Sequence, residues 1–309
     1  MPDSESTLPN RSSESIPGVC EVFRLGGPRP ASLLIEVPHG ATELVHYDAV
    51  AVKLESPLPP NLEQFFHVNT DFGAPELAVA VARRVATAKQ KARTGGVVVV
   101  RALVPRTFVD LNREIGETVT AGMTPGLPPY ITAPTDRDLL LSLYQQYHGA
   151  VSKLYREVLG KESGLAVALH TFAPRSVEVA VDADIVGALR AAYRPAVFPG
   201  WTLRPGVDFI TADDTGTDLS PRGLVASLRA AYSDLGVSSG ENATYHLHPA
   251  TMGYRYAAAW PGRTLCVEFR RDLLGSPWRP FVASAAGPRK VARLAAPLAA
   301  ALSRTLTAG

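Results

Sequence analysis

Cysteine is scarce: Cys20 and Cys266 are the only two in 309 residues. Two thiols exclude a disulfide framework and a cysteine-rich zinc site. Charge of one sign is also lacking. Lys and Arg number 31 against 29 Asp and Glu, a net charge of +2. That balance excludes the basic footprint of a nucleic-acid-binding protein. No apolar run reaches the roughly 18 residues that a membrane span needs. The opening MPDSESTLPNRSSESIPG is polar and acidic, unlike the basic start and apolar core of a secretory signal. The expectation is a reduced, cytoplasmic protein that binds neither nucleic acid nor membrane. Around Leu25-Gly26-Gly27-Pro28 the Walker lysine spacing and the G-x-G-x-x-G spacing are both missing, so this is no phosphate loop.

Hydrophobic residues make up 46% and charged residues 19%, a globular composition with enough apolar surface for a sizeable core. Residues 1–17, rich in Ser, Glu, Pro and Asn, are expected to be a disordered tail. Residues 18–309 show no repeat and no composition break, so one catalytic domain is expected. Short apolar runs predict buried strands at Ser32–Val37, Val97–Val104, Gly164–Leu169 and Thr264–Phe269. Arg106–Arg113 reads as strand running into loop, and Tyr245–His248 as a short strand. Helical periodicity covers Pro75–Lys91, Thr135–Leu159, Asp182–Tyr193, Ser220–Leu235 and Ala286–Leu306. Thr70 or Asp71 is placed to cap the first of these, and Ser220 the fourth. Strands alternating with helices predict an α/β fold with a largely parallel sheet.

Two of seven histidines, His39 and His170, fall at the C-terminal ends of predicted strands. Open α/β sheets bind ligands at that edge. Two imidazoles and one carboxylate would satisfy a catalytic zinc, which keeps a position open for water. Asp71 and Glu43 are rival candidates for the carboxylate. Arg113 offers a planar fork for a substrate carboxylate, and Asn112 adds a donor. Arg106 is placed to polarise a carbonyl. Glu268 sits inside an apolar strand, where a carboxylate is costly without a reason. It is either a general base with a raised pKa or the partner of Arg270 or Arg271. His246 and His248, two apart, would share one face of a strand and form an alternative metal site with Glu268.

These residues fall in segments that resemble the N-formylglutamate amidohydrolases. Val37-Pro38-His39-Gly40 is similar to that family's Val-Pro-His opening. Asn69-Thr70-Asp71-Phe72-Gly73 resembles its Asp-Thr-Asp-Trp segment, and Arg106-Thr107-Phe108-Val109-Asp110-Leu111-Asn112-Arg113 its Asp-Leu-Asn-Arg element. Leu169-His170-Thr171-Phe172 and Val267-Glu268-Phe269-Arg270-Arg271 resemble two later ones, all in the same order. The resemblance implies a phosphorylase/hydrolase-like three-layer α/β fold with a mixed, largely parallel central sheet, similar to zinc carboxypeptidases and aspartoacylases. It implies one Zn²⁺ held by His39, Asp71 and His170. It implies Asn112 and Arg113 as the carboxylate clamp, Glu268 as general base and Arg106 as oxyanion stabiliser.

The implied activity is hydrolysis of an N-acyl amino acid, or of a small peptide with a free carboxylate. A carboxypeptidase-like metallopeptidase and a non-catalytic binding protein are the alternatives on the same scaffold. The sequence departs from the family at Gly40, Ala168 and Thr171. Pro174–Gly253 also matches poorly, and this is the stretch expected to form the substrate pocket.

Overall fold

The computed structural model describes residues 9–27, 30–92, 95–116, 124–275 and 277–308. Seven strands form one sheet among them: β1 (Cys20–Leu25), β2 (Ala31–Val37), β3 (Gly96–Ala102), β4 (Leu165–Phe172), β5 (Val207–Ile210), β6 (Ser239–Glu241) and β7 (Thr264–Arg270), in the order β1-β3-β2-β4-β7-β5-β6. The four central strands β3, β2, β4 and β7 run parallel. β1 is antiparallel to β3 and β5 to β7, while β6 is parallel to β5. The sheet is mixed and largely parallel, as expected.

Period-two alternation sorts the central strands onto two faces. Leu33, Ile35 and Val37 of β2, Val97 and Val99 of β3, Leu165, Val167 and Leu169 of β4, and Leu265, Val267 and Phe269 of β7 belong to one core. Helices α3 (Ala74–Ala92), α6 (Arg222–Asp234) and α8 (Pro288–Ala308) supply the rest of it. The second core joins Leu34, Val98, Val100 and Ala166 to α1 (Leu44–Ala51), α2 (Leu62–Asn69), α4 (Pro134–Leu159), α5 (Ile185–Ala192) and α7 (Met252–Ala259). Helices therefore cover both faces of the sheet. Burial on both faces is why these strands read as unbroken apolar runs.

Parity also decides which strand residues can be polar. Glu36, His170 and Glu268 share the phase of Leu34, Ala166 and Cys266, on the second face. Glu36 is buried and accepts hydrogen bonds from the hydroxyls of Tyr147 (2.9 Å) and Tyr155 (2.8 Å) of α4. Burial raises its pKa, and the two tyrosine bonds pull it part of the way back.

Several local expectations change. Within the expected tail, residues 1–8 lie outside the described residues. Ser12 and Ser15, by contrast, hydrogen-bond to Val22 of β1, and Ile16 packs on the second core. Arg106–Arg113 forms turns, with Phe108 and Val109 donating back to the Pro105 carbonyl. Tyr245–His248 is a loop bridged to Asp213 at Leu247 alone. Pro221, not Ser220, is the residue before α6, and it makes no side-chain cap. Asp71 receives Ala74 N–H on its backbone carbonyl; its carboxylate is used elsewhere. Gly73, at φ 83°, turns the chain between Asp71 and α3. A Cβ there would lie 2.9 Å from Leu274 Cδ1, so the tight turn favours glycine twice over.

Candidate active site

The site lies at the C-terminal edge of the parallel strands. His39 follows β2, Asp71 follows α2, and His170 and Glu268 occupy paired positions near the ends of β4 and β7. Pairing puts these last two side chains on the same face. His39, Asp71, Arg106, Asn112, Arg113, His170 and Glu268 all line one cavity of about 550 Å³.

His39, Asp71 and His170 are buried, and one ligand atom from each lies within 4.8 Å of the others. Asp71 Oδ2 is 3.0 Å from His170 Nδ1 and 3.4 Å from His39 Nδ1. His39 Nε2 stands 2.7 Å from Asp110 Oδ1. A carboxylate on Nε2 selects the tautomer protonated there and leaves Nδ1 as a lone pair. Nδ1 is buried without a hydrogen-bond partner. Ring nitrogens of two imidazoles and a carboxylate thus converge on one point, a donor set that fits a catalytic zinc. Glu43 is elsewhere: its exposed side chain bonds Arg101 at 2.9 Å, and the residue stands at the N-cap of α1. His246 and His248 line the cavity from their loop. Among the described residues they join no metal-ligand group with Glu268.

The surroundings of Asp71 are built from distant chain. Thr171 N–H donates to Oδ2 at 3.2 Å, and Arg271 Nη2 lies 3.4 Å from Oδ1. Arg271 also donates to the carbonyls of Val68 and Thr171. The Thr171 hydroxyl donates to Phe72 O at 3.0 Å. Burial opposes the charge on Asp71, but His39 and His170 outweigh it and hold the carboxyl well below its usual range.

Asp110 is the residue whose role the sequence left unread. One oxygen takes His39 and the Asn112 N–H; the other takes Arg106 Nη2 at 2.8 Å. Burial works against its ionisation, yet Arg106 and His39 hold it well below the carboxylate range. One buried anion thereby orients an imidazole and anchors a guanidinium. Asp110→Asn is expected to weaken metal affinity or activity about 10–100-fold, the usual effect of losing such an outer carboxylate. Zinc titration against a competing chelator checks this; an unchanged affinity together with unchanged turnover would contradict it.

Glu268 forms no pair with Arg270 or Arg271. Arg270 bonds Asp272 and the Arg204 carbonyl, and Arg271 is committed to Asp71 and its neighbours. Glu268 Oε2 has no hydrogen-bond partner. Burial pushes its carboxyl up to about 7, with His170 pulling down and Asp71 pushing further up. Arg113 donates Nε to Thr124 O and Nη1 to Asn112 O, both at 3.0 Å. The Asn112 side-chain carbonyl accepts Gly253 N–H at 3.2 Å, which leaves its amide N–H groups for a ligand. The loop carrying Tyr245 is tied to Asp208 of β5 through the N–H groups of Ala243 and Thr244.

A mixed α/β sheet with two histidines, two carboxylates and a set of arginines gathered at its parallel edge defines a hydrolase scaffold. The chain belongs to the N-formylglutamate amidohydrolase family, whose model matches residues 31–274. Its fold is similar to that of N-formylglutamate amidohydrolase from Ralstonia eutropha JMP134, with 16% identity, a TM-score of 0.57, and 93% of this chain and 97% of that one covered. A gene product of Agrobacterium tumefaciens is similar at 18% identity and a TM-score of 0.53, covering 93% of this chain and 95% of that one. No curated protein matches the chain. No helix among the described residues is long and apolar enough to cross a membrane.

Proposed function

We propose that the protein is a zinc-dependent amidohydrolase that cleaves the amide of an N-acyl amino acid, or of a small peptide, bearing a free carboxylate. The observation that carries this reading is the convergence of His39, Asp71 and His170 beside an unpartnered Glu268 in one cavity. Zinc, when bound, acts as a Lewis acid and makes water acidic near neutral pH, with a pKa of about 7.

Glu268 accepts the proton of the attacking water and passes it to the leaving amine. Burial and the lack of a hydrogen-bond partner at Oε2 favour its taking up a proton and leave that oxygen free to pass it on. Arg106, anchored by Asp110, stabilises the developing oxyanion; a preorganised donor of this kind is worth about 3–4 kcal/mol. Arg113 and Asn112 hold the substrate carboxylate, and holding it fixes the amide in register.

Arg113→Ala is expected to raise KM for carboxylate-bearing substrates about 10–100-fold, from a lost charged hydrogen bond of about 1.5–3 kcal/mol. The matching carboxamide substrate is the control. An equal loss on that control would make Arg113 a structural residue instead. The reading as a whole is tested by supplying zinc-loaded protein with a panel of N-acyl amino acids and short peptides, and measuring amine release. Failure to hydrolyse any of them would overturn it.

A further inference from the structure

We infer that the active-site cavity contains an apolar subsite, formed by Val177, Val179, Val181, Ile185 and Leu189, for a bulky hydrophobic group of the substrate. This inference rests on the hydrolase reading above and extends it to a substrate class. That class is N-acyl amino acids or short peptides with one carboxylate and a branched-aliphatic or aromatic group beside the scissile amide.

The cavity is two-sided. Arg113 and Arg204 both line it, and among the described residues their hydrogen bonds go to neutral groups. Arg204 donates to the hydroxyl oxygens of Ser176 (3.0 Å) and Tyr245 (2.8 Å) and lies over the Phe172 and Tyr245 rings. Arg113 donates to two carbonyls. This set is the cationic side, fitted to a carboxylate.

The other side comes from residues 177–181 and α5. Val177, Val179 and Val181 are half-buried, while the intervening Glu178 and Ala180 are exposed. All three valines line the cavity and pack against the second core; Glu178 reaches the cavity lining as well, and Ala180 does not. Ile185 and Leu189 of α5 also border the cavity but are almost fully buried, so the apolar surface open to a ligand is mainly that of the valines.

A volume of about 550 Å³ is of the size that encloses a drug-sized ligand, typically ~300–1,000 Å³. A formylated amino acid with a small or acidic side chain fills only part of it and leaves the valine wall facing water. A hydrophobic group covers that wall and gains from its burial. The apolar group can belong to the amino-acid side chain or to the acyl chain, since both flank the amide.

Calorimetry on the zinc-loaded Glu268→Gln protein separates binding from turnover. The probes are N-formylglycine, N-formylphenylalanine, N-octanoylglycine and N-formylglutamate. N-formylphenylalanine or N-octanoylglycine is expected to bind about 10–100-fold more tightly than N-formylglycine, with a negative heat-capacity change. A gain with the first assigns the wall to the side chain, and a gain with the second assigns it to the acyl chain. Val179→Asp in the same background is expected to reduce that ratio to below threefold. Val177→Ser serves as a second variant, and a thermal melt checks folding of both. Apolar probes no tighter than N-formylglycine, or N-formylglutamate the tightest, would overturn the inference. Because binding is the readout, a wild type that hydrolyses nothing would sink the hydrolase reading while the affinity order still decides this one.

Discussion

Glu268→Gln is expected to lower kcat by about 10²–10⁴-fold, the range that a positioned general base contributes. Zinc content should stay at the wild-type level. The two effects separate because Glu268 is not one of the three converging ligands, and its Oε2 has no protein partner to lose. Gln keeps the shape and removes only the ability to take the proton. KM should change little, since Glu268 is not asked to hold the ground-state substrate. Steady-state kinetics beside elemental analysis checks this. A variant within threefold of wild type would move the base role to another group.

His39→Ala and His170→Ala carry an effect of comparable size through a different route. Each is expected to bring zinc from about one per chain to background, and hydrolysis with it, because a catalytic zinc is held by only three protein ligands. The two histidines are also structural: His39 bonds Asp110 and His170 bonds Asp71. Removing either leaves a buried carboxylate short of a partner, a cost of several kcal/mol at most sites. The more conservative His39→Gln and His170→Gln therefore accompany them, with thermal melts. Folded glutamine variants that retain full zinc and full activity would contradict the ligand assignment.

How far the sequence reached depended on how local each signal was. β2, β3, β4 and β7 were legible because both of their faces are buried, which writes a run of β-branched and leucine residues into the chain. β6 is only Ser-Gly-Glu and carries no such mark. β5 holds Asp208, a buried acid paid for by loop N–H groups that no nearby residue announces. Phe108, Val109 and Leu111 resemble a strand because they are buried, but Pro105 starts a turn and the segment pairs only at an isolated bridge between Arg113 and Thr251. His39, His170 and Glu268 were visible as polar groups at the ends of, or inside, apolar runs. Asp71 and Glu43 were not separable by spacing; the fold separates them by placing Arg101 against Glu43. Asp110 and Arg271 act across 71 and 200 residues of chain, on His39 and Asp71. Contacts that distant leave no periodic trace in one sequence.

The central claim is that His39, Asp71 and His170 form a zinc site. The most direct test is elemental analysis of the purified wild type beside Asp71→Ala and Glu43→Ala. About one zinc per chain is expected in the wild type and in Glu43→Ala, and none in Asp71→Ala. A wild type that takes up no metal after incubation with zinc, or a site lost with Glu43 and kept without Asp71, would contradict the account.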